Sequence, residues 1–236
     1  MNVKIIVIIV IIITNIGIGS WYGYEYYHQK QTIIERGRSY SDDDDYYNVL
    51  SINWPFTVCV NATKSCIKPL PNRWTIHGLW PNALDNSMIS YCKQEKYDSN
   101  QIRMLRSRME EQWLSAKLKG NDAFWKHEWE KHGTCATGFS QYDYFNQTLS
   151  LFERYDVNLM LKNYGINYGG LINVADVRRA LESGGLQSDM FVIQCKNSYK
   201  KPYLFEIRLC FTAELKPMAC AIKSNCKKPQ VYYVMN

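Results

Sequence analysis

Apolar residues recur at helical spacing in the middle of the chain, and this pattern predicts four helices. The first two begin at Ser99 and Asp122, whose side chains suit the N-cap position, and Gly133 ends the second. Ser140 and Asp143 have the spacing of a capping box at the start of the third helix. The predicted helices cover residues 99–119, 123–132, 140–154 and 174–182.

Runs rich in β-branched and aromatic residues predict strands before and after these helices. Pro55 ends the first strand, and a lysine-rich turn over residues 197–201 joins the last two. The predicted strands cover residues 47–54, 74–78, 190–195 and 203–211. Because the helices come first and the strands cluster late, we expect an α+β fold with an antiparallel sheet packed against several helices.

The composition is that of a globular protein. The chain has 236 residues, of which 46% are apolar and 21% are charged, and its net charge is +6. This composition excludes a disordered chain, and the glycine repeat of collagen is absent from the sequence. The positive charge is compatible with a polyanionic partner, but it does not by itself indicate nucleic acid.

The N-terminal region has the pattern of a secretory signal peptide, which we place at residues 1–19. An unbroken β-branched run, Ile5–Ile13, is about half as long as the roughly 20 residues that cross a bilayer as a helix. A cleaved signal is therefore favoured over an uncleaved anchor. Residues 20–46 are interpreted as an extension or linker, and residues 47–236 as the single folded domain. We expect a protein that is secreted or held in a lysosome-like vesicle, without stable membrane association after cleavage.

Eight cysteines follow the predicted signal peptide, and none of them forms the C-x-x-C pair that binds zinc. Their even number predicts four disulfides, which persist in an oxidising compartment. The residues alone leave the pairing open. Two sequons, at Asn61 and Asn146, are candidate glycosylation sites and fit the same compartment.

Histidine is scarce, yet three of the four histidines lie in two short aromatic segments. His77 belongs to the segment Trp74–Pro81, while His127 and His132 belong to the segment Phe124–Cys135. A histidine titrates near neutral pH, so a pair of them can act as acid and base in the same turnover. This concentration is the main indication of catalysis in the sequence.

A zinc protease is the first alternative, because His127-Glu128 begins its signature. That site needs histidines at positions i and i+4 of a helix, whereas His127 and His132 are five residues apart. Helical spacing instead pairs Glu128 with His132 and His127 with Lys131, which places a carboxylate and an ammonium beside the two imidazoles. Such a set suits a phosphodiester better than an acyl group, since neither segment contains a serine and the cysteines are expected to be paired.

The two segments resemble, almost residue for residue, the two active-site motifs of the ribonuclease T2 family of secreted acid-type endoribonucleases. Trp54-Pro55, Cys59 and the order of the cysteines also fit that family, so the resemblance covers essentially Tyr47 to Cys226. It implies a ribonuclease T2-like fold in a single domain stapled by disulfides.

In that family two histidines cleave single-stranded RNA, and the resemblance implies that His77 and His132 do so here. His132 would be the base on the ribose 2′-hydroxyl, and His77 the acid on the leaving 5′-oxygen. The product would be a 2′,3′-cyclic phosphate and then, slowly, a 3′-phosphate. No metal or other cofactor would be required, DNA would be spared because it lacks the 2′-hydroxyl, and the protein is expected to be a monomer.

The resemblance implies roles for the neighbouring residues as well. Three residues of the second segment would bind the phosphate and stabilise the transition state: His127, Glu128 and Lys131. Trp80 would stack on a base, because every base presents a π-face to an indole. Asn82 stands where many members carry aspartate, so the base preference stays open.

The family's disulfides, carried onto this sequence, pair Cys59 with Cys66, Cys92 with Cys135, Cys195 with Cys226 and Cys210 with Cys220. The second of these would tie the end of the catalytic helix to the loop after the first segment.

The alternative from another functional class is a secreted signalling or binding glycoprotein that acts on host or cell receptors, with ribonuclease activity secondary. Every catalytic position of the family is present, which favours an enzyme. Purified wild-type protein that cleaves RNA no faster than its His77→Ala and His132→Ala variants would favour the alternative.

Overall fold

The computed structural model of the protein describes residues 46–198 and 200–235. The predicted signal peptide, residues 1–19, and nearly all of the predicted extension lie outside the described residues. The strands are β1 (Tyr46–Asn53), β2 (Thr75–Ala83), β3 (Gly170–Asn173), β4 (Phe191–Ser198), β5 (Lys201–Thr212) and β6 (Gln230–Tyr233). The α-helices are α1 (Pro55–Cys59), α2 (Arg106–Gln112), α3 (Asn121–Lys131), α4 (Gln141–Arg154), α5 (Val157–Asn163) and α6 (Val174–Ser183).

The strands form one sheet in the order β2-β1-β5-β6-β3, and β4 pairs with the edge of β5 that faces away from β1. The pairings between these strands are antiparallel, apart from one parallel pair between Tyr203 of β5 and Tyr232 of β6. Every residue of β1 is buried. The predicted α+β class with an antiparallel sheet is confirmed, and β2 and β5 lie on either side of β1.

One apolar cluster joins the sheet to the helices. It includes Leu50 and Ile76 from the sheet, Trp129 from α3, Phe145 from α4 and Leu181 from α6. The tryptophans with the least exposed side chains belong to this cluster: Trp54, Trp74, Trp113, Trp125 and Trp129. Burying side chains of this size stabilises the fold by roughly 2–3 kcal/mol each, and it fixes the helices on the sheet.

Two predicted helices agree closely with the structure. The Ser140 hydroxyl accepts the backbone N–H of Asp143 at 3.1 Å, and the Asp143 carboxylate accepts the backbone N–H of Ser140. The capping box at the start of α4 is therefore confirmed. The helix predicted over residues 174–182 is α6, and Gly184 is its C-cap as its sequence position indicates.

The single helix predicted over residues 99–119 is wrong. Only α2 is α-helical there, preceded by a 3-10 turn over Arg103–Leu105. Residues 116–118 instead bond to residues 65–67, where the Ile67 N–H donates to the Ala116 carbonyl at 3.1 Å. Leu118, which lies within the predicted range, is 65% exposed. Tertiary pairing with a distant segment thus overrides the helical pattern.

The cap predicted for the following helix also differs. Gly120, with φ of 84°, occupies the N-cap of α3, and Asp122 lies in its first turn. The Asp122 carboxylate binds the guanidinium of Arg106 at 2.9 Å instead of capping the helix. The sequence pattern also missed α1, α5, β3 and β6, because each is only four to seven residues long and carries little periodicity.

Four disulfides cross-link the described residues. They join Cys59 to Cys66, Cys92 to Cys135, Cys195 to Cys226 and Cys210 to Cys220. These are the four pairs that the family resemblance implies. No helix among the described residues is long and apolar enough to cross a membrane.

Candidate active site

A bulge in β2 presents His77. Gly78 pairs with Ser51 of β1 and Ile76 pairs with Ile52, so His77 is the extra residue between two consecutive rungs of the ladder. Bulges of this kind redirect a side chain at a fixed point of a sheet. The side chain of His77 is 31% exposed.

Helix α3 presents the residues of the second segment. Its buried face contains Trp125, Glu128 and Trp129, and the Trp125 indole N–H donates to the Trp113 carbonyl at 2.6 Å. His132 is the C-cap residue, and its backbone N–H donates to the Glu128 carbonyl at 3.0 Å. The buried tryptophans therefore fix the rotation of α3, and with it the direction of Glu128 and His132.

Strand β2 and helix α3 meet at a cleft of about 310 Å³. Its lining includes every residue assigned a catalytic or stacking role: His77, Trp80, His127, Glu128, Lys131 and His132. Asn82, the position that departs from the family pattern, also lines it. A larger cavity of about 580 Å³, beside Trp74 and Tyr168, contains none of these residues.

The indole of Trp80 is at the centre of the cleft. Its ring centroid lies 4.8 Å from that of His77 and 5.5 Å from that of His132. The Trp80 indole N–H donates to Glu128 Oε2 at 3.0 Å. Trp80 is only 8% exposed, and the guanidinium of Arg208 lies 5.1 Å from the centroid of its ring. Trp80 therefore contacts both imidazoles and binds a carboxylate from α3.

The pKa of His77 is raised above its usual value. Burial acts to lower this pKa, but the hydrogen bond and negative charge of Glu206, together with the charge of Glu128, outweigh burial. The Nδ1 atom of His77 lies 2.8 Å from Glu206 Oε1. Because this contact engages Nδ1, the Nε2 atom is the nitrogen left to act in the cleft.

The pKa of His132 is shifted in the opposite direction. Burial, followed by the positive charges of Lys131, His127 and His77, lowers this pKa to about 3. The Nδ1 atom of His132 is buried and has no hydrogen-bond partner among the described residues. An imidazolium carries N–H groups on both nitrogens, so a buried nitrogen without an acceptor disfavours the charged form.

Glu128 and His127 of α3 line the same cleft as the two histidines. Burial raises the pKa of Glu128, despite the opposing effects of His77, Trp80 and Lys131. Desolvation and the Lys131 ammonium lower the pKa of His127. The ring centroid of His127 lies 6.5 Å from that of His132.

Residues 45–220 match the profile of the Ribonuclease T2 family. The chain belongs to the ribonuclease T2 family. Ribonuclease T2 of Sus scrofa is 34% identical over 179 residues, which cover 71% of this chain and 85% of that protein. Ribonuclease Oy of Magallana gigas is 31% identical over 206 residues, which cover 79% of this chain and 94% of that protein.

The fold of this T2 ribonuclease is also that of solved relatives. Ribonuclease MC1 from bitter gourd seeds superimposes with a TM-score of 0.73 at 24% identity, covering 80% of this chain and all of that one. A mutant of ribonuclease MC1 has been solved in complex with 5′-UMP. The family and its named ribonucleases make this protein a ribonuclease T2-type endoribonuclease, and they do not favour the receptor-binding alternative.

Two residues of this T2 ribonuclease at the cleft were missed by the sequence analysis, namely Glu206 and Arg208 of β5. The Arg208 Nε and Nη2 atoms donate to Glu206 Oε2 at 2.9 and 2.6 Å. The signal that could have revealed them is a pair of opposite charges, two residues apart, in an otherwise apolar predicted strand. His77, the partner of Glu206, is 129 residues away, so spacing could not identify the contact.

The two sequons of the T2 ribonuclease differ in their surroundings. Asn61 is exposed, and its side-chain amide donates to the Ser198 hydroxyl. Asn146 lies within α4 and is partly buried, and its Oδ1 atom accepts an N–H of Arg108 at 3.1 Å. Within residues 46–198 and 200–235, no group of three or more histidines, cysteines or carboxylates is arranged to hold a metal ion.

Proposed function

We propose that this T2 ribonuclease cleaves single-stranded RNA by transesterification through the 2′-hydroxyl, without a metal ion or other cofactor. The observation that carries the proposal is the pair His77 and His132. Their rings lie 4.8 and 5.5 Å from the same indole, in one cleft, and their pKa values are shifted in opposite directions. An acid and a base with separated pKa values are what proton transfer at both ends of one phosphodiester requires.

His132 is the proposed base. Its lowered pKa keeps the imidazole neutral over the physiological range, so it can accept the proton of a ribose 2′-hydroxyl. The 2′-oxygen then forms a bond to phosphorus, and a 2′,3′-cyclic phosphate results. In the slower second step, water takes the place of the leaving oxygen and the ring opens to a 3′-phosphate.

His77 is the proposed acid. Its raised pKa keeps a proton on the imidazole in weakly acidic solution, where the leaving 5′-oxygen must be protonated as its bond to phosphorus breaks. The Nε2 atom donates this proton, because Nδ1 is held by Glu206. After this step His77 is neutral and His132 is charged. In the second step the roles are exchanged, so His77 accepts a proton from water and His132 donates one to the 2′-oxygen.

His127, Glu128 and Lys131 are the proposed phosphate-binding group. The Lys131 ammonium offers a positive charge to the phosphorane, where negative charge develops on the non-bridging oxygens. The raised pKa of Glu128 favours a protonated carboxyl in acidic solution, which can donate a hydrogen bond to one of these oxygens. His127 is exposed at the cleft, where a ring N–H can donate to the same phosphate.

Trp80 is the proposed base-contacting residue, and it also binds Glu128. Trp80 is only 8% exposed, so its indole offers a base a small area beside Arg208. Its N–H bond to Glu128 is complete without RNA. We therefore propose that Trp80 also orients Glu128. The base preference stays open, because Asn82 stands where many family members carry aspartate.

The remaining proposals concern where and how the protein acts. Four disulfides support an oxidising compartment, either outside the cell or in a lysosome-like vesicle. The same proposal includes a signal peptide at residues 1–19, the extension 20–46 and a catalytic domain over 47–236. It also includes glycans on Asn61 and Asn146, and a monomeric protein without stable membrane association after signal cleavage.

The test uses the purified protein, its His77→Ala and His132→Ala variants, and single-stranded RNA in excess chelator. We expect each variant to lose about 100-fold or more of the rate, since an acid or base contributes that much. Mass spectrometry of the 3′ ends should find cyclic phosphate first. A substrate with one 2′-deoxyribose should be spared at that position. Loss of activity in chelator, or cleavage at the 2′-deoxy position, would contradict the proposal.

A further inference from the structure

Strand β5 directs two opposite charges toward the bulge of β2, and both lie outside the two sequence segments. Glu206 and Arg208 are two residues apart, so their side chains leave the same face of the strand. Glu206 is 1% exposed. One of its oxygens contacts His77 Nδ1 at 2.8 Å, and the other accepts both N–H groups from Arg208.

The contact between Glu206 and His77 crosses the intervening strand β1. Ser51 of β1 pairs with Gly78 of β2 on one side and with Arg208 of β5 on the other. Strands two apart in a sheet are separated by roughly 9.5 Å, which a glutamate and a histidine bridge only over small neighbours. Ser51, the β1 residue that pairs with both Gly78 and Arg208, has a small side chain.

We infer that Glu206 is a positioning residue for His77, the proposed acid, and that Arg208 keeps Glu206 ionised in its buried place. This inference rests on the proposed function. The carboxylate fixes the imidazole ring with Nε2 toward the cleft and favours the protonated form. A carboxylate buried without a partner would be neutral, and the two N–H groups of Arg208 prevent this.

The charges around His77 support this division of roles. On β5 they are Glu206 and Arg208, and on α3 and its end they are Glu128, His127 and His132. Burial acts to raise the pKa of Glu206, but its contacts with His77 and Arg208 outweigh burial and lower it. Glu128 also raises the pKa of His77, so loss of Glu206 weakens the stabilisation of the charged ring without abolishing it.

The experiment compares the full chain with its Glu206→Gln variant. Glutamine keeps the size and an acceptor oxygen but removes the charge. The matched control is Glu153→Gln, because Glu153 on α4 also binds an arginine, Arg108, through both oxygens, and it lies outside the cleft. The first readout is the NMR titration of His77, assigned with the His77→Ala variant, and the second is the pH profile of kcat/KM for RNA cleavage.

We expect the NMR pKa of His77 to fall by about one unit or more in Glu206→Gln, because an opposite charge within hydrogen-bonding distance shifts a pKa by that amount. The alkaline limb of the profile should move to lower pH by the same amount, since the acid then loses its proton earlier. The acid limb of the profile should not change. In the Glu153→Gln variant, both the titration of His77 and the pH profile should match those of the wild type. An unchanged titration of His77, or a uniform loss of rate across pH, would overturn the inference.

A Glu206→Asp variant, which keeps the charge but retracts it, serves if Glu206→Gln does not fold. We expect its His77 titration to lie between those of the wild type and a charge-free site, and a titration identical to wild type would overturn the inference. The NMR readout needs no RNA cleavage. If the wild type did not cleave RNA, the proposed function would fail, while the titration would still decide whether Glu206 stabilises the charged form of His77.

Discussion

At the scale of single residues, Gly78 decides whether the cleft can form. A Cβ atom at this position would overlap Glu128 Oε2 and Trp80 Nε1, the two atoms that are hydrogen-bonded to each other. Gly78 also pairs with Ser51 directly after the bulge that presents His77. Glycine is therefore needed at position 78 because helix α3 approaches strand β2 closely there. The backbone conformation of Gly78 does not itself require a glycine.

We predict that Gly78→Ala lowers kcat/KM for RNA by about 100-fold, because displacement of catalytic groups by about an ångström has effects of that size. The overpacked side chain should also lower the free energy of unfolding by about 1–3 kcal/mol. Enzyme kinetics and urea unfolding measure the two effects. Gly170→Ala is the control, since a Cβ there meets nothing within 4 Å. Activity of Gly78→Ala within a factor of two of Gly170→Ala would contradict this account.

At the scale of elements, the end of α3 is clamped to the loop that follows β2. The Tyr91 N–H donates to the Lys131 carbonyl at 2.8 Å, and the Cys92–Cys135 disulfide joins the same two segments. Cys135 ends the 3-10 turn that follows His132 directly. The disulfide therefore restrains the turn that carries the proposed base.

We predict that Cys92→Ser with Cys135→Ser lowers both stability and activity. Opening a loop of 43 residues costs about 4 kcal/mol in the chain-entropy description, and His132 loses its support. The double variant Cys59→Ser with Cys66→Ser opens a loop of 7 residues outside the cleft, so it should cost about 2 kcal/mol. At a temperature where both variants are folded, only the first should show reduced kcat. Equal kcat values in the two variants would refute the clamp.

The elements also show where local sequence determines structure and where it does not. The capping box of Ser140 and Asp143 lies entirely within one turn, so the sequence was sufficient to predict the start of α4. Residues 116–118 belong to an equally regular pattern, yet their partners are residues 65–67, about fifty positions away. A local pattern contains no information about such a partner.

At the scale of the whole molecule, the separated pKa values of the two histidines predict a bell-shaped profile of kcat/KM against pH. Activity should fall as pH rises through the pKa of His77, which is raised above its usual value, and as pH drops through that of His132, which is about 3. The optimum should therefore be acidic, at about pH 4–6. A profile measured at constant ionic strength tests this. An optimum above about pH 8 would show that the assignment of raised and lowered pKa values is wrong.

The candidate site as a whole was largely predictable, because its residues are concentrated in two contiguous segments that resemble family motifs. His77 and Trp80 share one strand, and His132 is the C-cap of the helix that contains Glu128, so sequence spacing already places the members of each pair together. Glu206 and Arg208 come from β5, and only the order of the strands brings them to His77. The part of the site that depends on topology is the part that the sequence could not identify.

The assignment of His77 as acid and His132 as base can be tested with two substrates that differ only in the leaving group. One is a dinucleoside phosphate, and the other is the 4-nitrophenyl ester of the same nucleoside 3′-phosphate, whose leaving group needs no proton. We predict that His77→Ala loses about 100-fold or more on the first substrate but less than about tenfold on the second, while His132→Ala loses about 100-fold or more on both. Equal losses of His77→Ala on the two substrates, or an undiminished rate of His132→Ala on the ester, would contradict the account.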